Sequence, residues 1–375
     1  MKKKKIISIL LVCALLLVTG FMGCAKQETL AAKVGDREIT LTQLQNSYTN
    51  SSAYASYSGY SLDTEEGIAK YVDYLLDNLI ASNMKIYQAK LSGITLTDEE
   101  IAAAKESAQK NYDDTVDSFK QQATKAGATN VDAYAKTLFT KALVQNKTTV
   151  KKLQADMLED AKNETLVSKH RTQLLEGIQM TDEELSAKYA EVLANQKTLF
   201  DKTPSDYFTY ESYAQYGYNE PPVYVPAGFF RVRHILVADE ATAKLVKEKL
   251  DAGEDFEKLL AEYGTDPGMQ GDTNAAGYLV GEGASFVEPF LKAALALAKD
   301  GDVSDPVQSD YGWHIIKRVS TEAAHEIPYA DVKEGFDLYE QAVYQQQYYT
   351  DIVSKWTADT SLVTKFAENY ASIGK

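Results

Sequence analysis

Arg231-Val232-Arg233-His234-Ile235-Leu236-Val237 reads as a β-strand, because β-branched residues are stiff at χ1 and suit a pleated, packed surface. Its counterpart is Trp313-His314-Ile315-Ile316-Lys317-Arg318-Val319, a final strand with a histidine near its start. Between them the apolar period changes from two to 3.6. Ala241 to Leu250 reads as a helix ended by Ala252-Gly253; Phe256, Leu259 and Leu260 suit a short second helix, and Pro289 to Ala298 a third. A compact α+β unit therefore begins at about Phe229.

Upstream the texture differs. All eight prolines lie at or after Pro204, and residues 24–203 are rich in Ala, Lys, Glu, Gln and Leu, so the first half should be almost entirely helical. Ile68, Val72, Leu75, Leu76, Leu79 and Ile80 recur at i, i+3, i+4 spacing and mark one buried stripe, and a second long pattern runs from about Val131 to Gly177 with a break inside it. One start signal appears three times: Ile39-Thr40-Leu41-Thr42-Gln43, Leu96-Thr97-Asp98-Glu99-Glu100 and Met180-Thr181-Asp182-Glu183-Glu184. Each offers a Thr N-cap, a Gln or Glu three residues on and an apolar residue before the cap, which is a capping box with half of a hydrophobic staple. The paired acids are thus helix-dipole support and not catalytic carboxylates.

Two tyrosine-rich stretches stand out, Tyr48, Tyr54, Tyr57 and Tyr60, then Tyr207, Phe208, Tyr210, Tyr213, Tyr216 and Tyr218. They read as loop packing against helices or as a surface for unfolded polypeptide, since Tyr supplies large contact area at little entropic cost. Pro221, Pro222 and Pro226 mark a stiff linker and a domain boundary. After His325 an apolar pattern through Val332, Phe336, Ile352, Val353 and Trp356 returns to helix. One such helix cannot bury its apolar side alone, so the tail is expected to pack back on the N-terminal helices. His170 and His325 have no metal-ligand spacing around them and read as solvated.

The chain opens with Lys2 to Lys5, an apolar run of 13 residues from Ile6 to Val18, and Thr19-Gly20-Phe21-Met22-Gly23-Cys24. That run is too short to cross about 30 Å of hydrocarbon but suits a signal-peptide core, and what precedes Cys24 resembles a bacterial lipobox. Residues 1–23 then form a signal peptide, and Cys24 carries diacylglycerol that anchors the protein at the extracytoplasmic face of the cell membrane. Loss of the leader takes the net charge from −15 to about −19, which argues against nucleic acid as a partner. Cys13 lies in the leader, so the mature chain has neither a disulfide framework nor a cysteine nucleophile or Cys-based metal site. No Gly-x-Ser-x-Gly elbow supports a serine hydrolase.

Five motifs in order resemble a parvulin-type peptidyl-prolyl cis-trans isomerase domain: Arg-His-Ile-Leu-Val at 233–237, Tyr-Gly-Thr-Asp at 263–266, Glu-Pro-Phe at 288–290, Gly-Asp-Val-Ser-Asp-Pro-Val at 301–307 and Tyr-Gly-Trp-His-Ile-Ile-Lys at 311–317. With the leader, the helical first half, the Lys33-Val34-Gly35 and Ile39-Thr40 opening and a helical tail, the whole chain resembles the PrsA-type foldase lipoproteins and is similar in architecture to SurA-type chaperones. The resemblance implies an α+β fold in which a mainly helical N-/C-terminal chaperone domain receives an inserted parvulin-like domain. Its segments would be a helical domain at 24–226, the isomerase at 227–320 and a C-terminal segment at 321–375.

Bottom-up chemistry agrees. An X-Pro bond turns slowly because its C–N bond must lose partial double-bond character, a barrier of about 18–20 kcal/mol. A catalyst need only grip the proline ring and favour the twisted amide, so no nucleophile, metal or cofactor is required. By resemblance, His234 and His314 are the paired histidines at the floor of the site, holding its hydrogen-bond network rather than moving protons. Asp266 stands beside the rotating carbonyl, although an Asp before Pro267 also reads as a turn cap. Ser309 takes the place of the usual Thr hydroxyl, Phe290 is the aromatic wall of the proline pocket, and Phe286 and Leu279 are further lining residues. Two departures follow. Residues 267–279 lack the family's Ser-Ala and Gly-Gly-Asp-Leu-Gly stretch, and Ala238-Asp239-Glu240 replaces a basic cluster, which disfavours phosphorylated substrates. The expected partners are unfolded or newly secreted polypeptides with X-Pro bonds, with a homodimer left open; the rival reading is a non-catalytic holdase that uses the parvulin fold only for binding.

Overall fold

The computed structural model describes residues 28–146, 148–270 and 275–374; the leader and Cys24 lie outside the described residues. The first half is helical as expected except at its start, which is a hairpin of β1 (Leu30–Val34) antiparallel to β2 (Arg37–Thr40). Two strands of five and four residues are too short to display a period of their own. They are turned by Gly35 at φ +55° and carry Ala31, Ala32, Val34 and Ile39 into full burial.

Helices follow as α1 (Leu41–Ser51), α2 (Glu65–Leu91), α3 (Asp98–Lys125), α4 (Val131–Gln145), α5 (Val150–Leu174), α6 (Asp182–Lys202) and α7 (Asp206–Gln215). Thr40, Thr97 and Thr181 each close a capping box with Gln43, Glu100 and Glu184, satisfying amides that α1, α3 and α6 leave orphaned. Thereafter come β3 (Tyr224–Val225), β4 (Phe229–Val237), α8 (Glu240–Asp251), α9 (Phe256–Tyr263), β5 (Tyr278–Val280), α10 (Glu288–Leu295), β6 (Val307–Ser309), β7 (Gly312–Glu322), β8 (His325–Glu326), α11 (Tyr329–Thr357), β9 (Val363–Lys365) and α12 (Ala367–Tyr370). No described helix is long and apolar enough to cross a membrane.

Contacts divide the chain into two compact units, one of the residues up to Ile178 with Gln345–Lys375, the other Gln179–Tyr344. In the first unit β9 adds to β1, giving the antiparallel order β2-β1-β9, with Val34 opposite Val363. The α2 stripe of Val72, Leu75, Leu76, Leu79 and Ile80 packs beneath it, together with Tyr370 and Ile373 from the other end of the chain. Ala104 and Ala108 of α3 meet Leu153, Met157 and Ala161 of α5, small residues admitting the close approach of two long helices.

His170 is buried, not solvated as its polar neighbours in the sequence imply: the Trp356 ring lies parallel to it at 5.8 Å, and Tyr349 and Val353 cover Leu175 beside it. Local composition did not reveal a cover arriving from almost two hundred residues downstream. Each tyrosine stretch splits in two. Tyr48 and Tyr60 pack around Tyr71 while Tyr57 is 88% exposed; Tyr207, Phe208 and Tyr210 pack around Phe200 while Tyr216 and Tyr218 are each 72% exposed.

In the second unit four antiparallel strands lie in the order β5-β4-β7-β6. Alternation sends Ile235, Val237 and Ile315 to one face, against Ala243 and Val246 of α8 and Leu259 of α9. Phe230, Val232 and Ile316 face the other way, against Phe290 and Ala294 of α10. A further aromatic cluster joins Phe200, Tyr207 and Phe208 to Phe229, so residues 179–226 pack with the sheet's unit.

Candidate active site

β4 and β7 position the two histidines. Their register pairs His234 with Ile316 and Leu236 with His314, so the histidines are diagonal neighbours on one face of the sheet. Both are buried, and their Nδ1 atoms lie 3.1 Å apart. Asp266 follows α9 and caps the short turn at Pro267–Met269, where its Oδ1 accepts the Gly268 amide at 2.9 Å. Its Oδ2 stands 2.7 Å from His234 Nε2, so one carboxylate both caps the turn and reaches the histidine pair. At the other end, Ser309 on β6 places Oγ 2.7 Å from His314 Nε2, and the Tyr311 amide donates to the same Oγ.

The chain of bonds assigns the protons. Burial works against ionisation of Asp266, but the Gly268 amide, His234 and the Tyr278 hydroxyl outweigh it and hold the carboxyl below the usual carboxylate range. Burial lowers His234, with Asp266 only partly opposing, and lowers His314 to about 4, aided by His234. Near neutrality the carboxylate is ionised and both imidazoles are neutral. One arrangement satisfies every atom: Ser309 O–H donates to His314 Nε2, His314 Nδ1–H to His234 Nδ1, and His234 Nε2–H to Asp266 Oδ2.

Over this chain sits an aromatic box. The Phe290 ring stands edge-on to His234 and His314 at 5.1 and 5.3 Å, Phe286 lies 5.1 Å from Phe290, and Tyr278 closes the circuit at 5.6 Å from Phe286 and 5.8 Å from His234. The structure thus brings together His234, Asp266, Ser309, His314, Phe286 and Phe290. Leu279 is not among them: strand alternation turns it to the opposite face of β5, into the cluster around Phe200 and Phe229. Tyr278 occupies the lining place instead, and its hydroxyl donates to Asp266 Oδ2 at 3.2 Å. The period-two rule would have found it once β5 was recognised, but β5 is three residues long, and Gly271–Asn274 of the divergent stretch lie outside the described residues.

Arg233 braces the loop that carries Asp266. Its Nη2–H donates to the Met269 carbonyl at 3.1 Å, while Nη1 pairs with Glu257 of α9 at 2.9 Å. On the far side Gly277, at φ +83°, brings the chain so close to β4 that a Cβ there would lie 2.5 Å from the Val232 carbonyl. Only glycine fits that approach.

Residues 213–334 match the family described as the PPIC-type PPIASE domain, and residues 1–167 the SurA-like N-terminal domain. The site and its sheet are therefore those of a parvulin-type peptidyl-prolyl isomerase domain. A foldase protein PrsA of Geobacillus kaustophilus is 55% identical over 23% of this chain and 30% of that protein; one of Clostridium botulinum strain Kyoto is 25% identical over 96% of this chain and 97% of that protein. The solution structure of the parvulin of Nitrosopumilus maritimus is 38% identical over 25% of this chain and 98% of that chain, with a TM-score of 0.22. The aligned segments span 30–39% of the first four curated relatives. The chain thus carries a PPIC-type PPIase domain and a SurA-like N-terminal domain, and along its length it is similar to the PrsA foldases.

Proposed function

We propose that this protein is a membrane-anchored extracytoplasmic foldase that turns X-Pro bonds in newly secreted, unphosphorylated polypeptides and shields them while they fold. The observation that carries the reading is the continuous chain Ser309–His314–His234–Asp266 beneath an apolar box bounded by Phe286 and Phe290. In a planar X-Pro amide the carbonyl oxygen bears partial negative charge, which it loses as the bond twists and conjugation breaks. An ionised carboxylate beside that oxygen repels the planar state more than the twisted one, which is differential stabilisation of the transition state. The aromatic box holds the proline ring while the peptide on the other side of the bond turns. The neutral histidines need move no proton: they keep Asp266 ionised and aimed. Anchoring rests on the lipobox at Cys24, and client binding on the relationship to PrsA and SurA-like proteins.

Isomerisation of an unphosphorylated X-Pro tetrapeptide by the full chain, beside Asp266→Ala and His314→Ala with folding checked by circular dichroism, tests this. Loss of catalysis in folded variants supports the enzyme. An inactive parent that still suppresses aggregation of an unfolded client would establish the holdase reading, which the exposed Tyr213, Tyr216 and Tyr218 favour.

A further inference from the structure

Tyr278 touches both halves of the site, and no other described residue does so with a side-chain hydroxyl. Its ring completes the aromatic box, and its O–H reaches the same Asp266 oxygen that receives His234 Nε2–H. Two donors on Oδ2, with the Gly268 amide on Oδ1, leave the carboxylate little freedom to rotate. The turn is built to admit the hydroxyl: a Cβ at Gly268 would lie 2.2 Å from Tyr278 Oη. Since Gly268 has no left-handed φ, that contact supplies a reason for glycine there that backbone conformation does not.

We propose that Tyr278 is a positioning residue for the isomerase, its hydroxyl fixing the orientation and ionisation of Asp266 while its ring bounds the proline pocket. The inference rests on the isomerase reading of the site. The charged and titratable groups around Asp266 are His234 on β4, Tyr278 on β5 and His314 on β7, with the Arg233–Glu257 pair behind the turn at Met269. Removing the hydroxyl takes away one of three donors that hold the carboxylate ionised. The ring, and with it the grip on proline, remains in Tyr278→Phe.

The test compares the full chain with Tyr278→Phe, Gly268→Ala and the double variant. Tyr278→Phe should lower kcat by about tenfold, the scale of one hydrogen bond to a charged group, with KM for the tetrapeptide unchanged. The acid limb of its pH profile should move to higher pH, and the Asp266 carboxyl resonance, followed by carbon NMR, should titrate higher to match. Gly268→Ala should reproduce both shifts by displacing the hydroxyl, and the double variant should be no worse than Tyr278→Phe, a non-additivity expected only where both act through one contact. Superimposed titrations in parent and Tyr278→Phe, or additive losses in the double variant, would overturn the proposal. The carboxyl titration needs no turnover, so an inactive parent would sink the isomerase reading while leaving the Tyr278–Asp266 link separately decided.

Discussion

The Nδ1 atoms of His234 and His314 stand 3.1 Å apart, and a pair so placed shares a single proton. A second proton would set two donors against each other inside the fold. Burial, with His234 beside it, has already lowered His314 from 6.5 to about 4. The sign of the linkage follows. Between pH 6.5 and 4 the unfolded chain binds a proton that the native state refuses, so stability is full above 6.5 and is lost as pH falls through this window. Urea midpoints measured from pH 7.5 to 4.5 should fall for the parent and fall less steeply for His314→Gln; parallel curves would contradict the assignment.

Ser309→Ala removes the O–H donor from His314 Nε2 and leaves a buried acceptor unpaired. The expected destabilisation is about 1–3 kcal/mol. Ser309→Thr keeps the hydroxyl and should remain near the parent in chemical denaturation. Equal losses in both variants would mean that packing, not the hydrogen bond, is the relevant contact.

Elements with long or repeated signals were legible in the sequence. The α2 stripe and all three capping boxes lie where spacing placed them, and the long pattern from Val131 does break, between α4 and α5, because each signal depends on residues within a few positions. Motif order likewise singled out His234, Asp266, Ser309, His314 and Phe290. What escaped was set by pairing at a distance. β1 and β2 are stable because β9 arrives from the far end of the chain, and His170 is covered by Trp356 for the same reason. Leu279 and Tyr278 exchange roles because one step along β5 reverses the face, and nothing local in three residues fixes that register.

Trp356→Ala should expose His170 and loosen the first unit. Burial lowers His170 below its usual range, and the parallel Trp356 ring is part of that cover. The variant should cost about 2–4 kcal/mol, somewhat less than a fully buried aromatic because Trp356 is only half-buried. Proton NMR of the His170 ring should show its titration move up toward 6.5. An unmoved titration would mean that α5 and its neighbours alone bury the imidazole.

Asp160 on α5 provides a pH response of opposite sign in the first unit. Burial, then Asp156, Glu164 and Glu159, push its carboxyl up to about 7, with Arg37 opposing. The native state therefore keeps a proton that the unfolded chain releases above 3.8, and its stabilising effect is complete below 3.8 and lost as pH rises through 7. Asp160→Asn keeps the shape and abolishes the charge. Its unfolding midpoint should match the parent below pH 3.8, where Asp160 is protonated in the native and the unfolded chain alike, and exceed it increasingly up to pH 8.5, where the parent must hold a buried carboxylate among three other acids. Between pH 4 and 7 the Asp160 contribution weakens as pH rises while the His314 contribution strengthens. In a calorimetric scan that resolves two transitions, Asp160→Asn should raise the first unit's transition most at high pH and His314→Gln should flatten the second unit's fall at low pH.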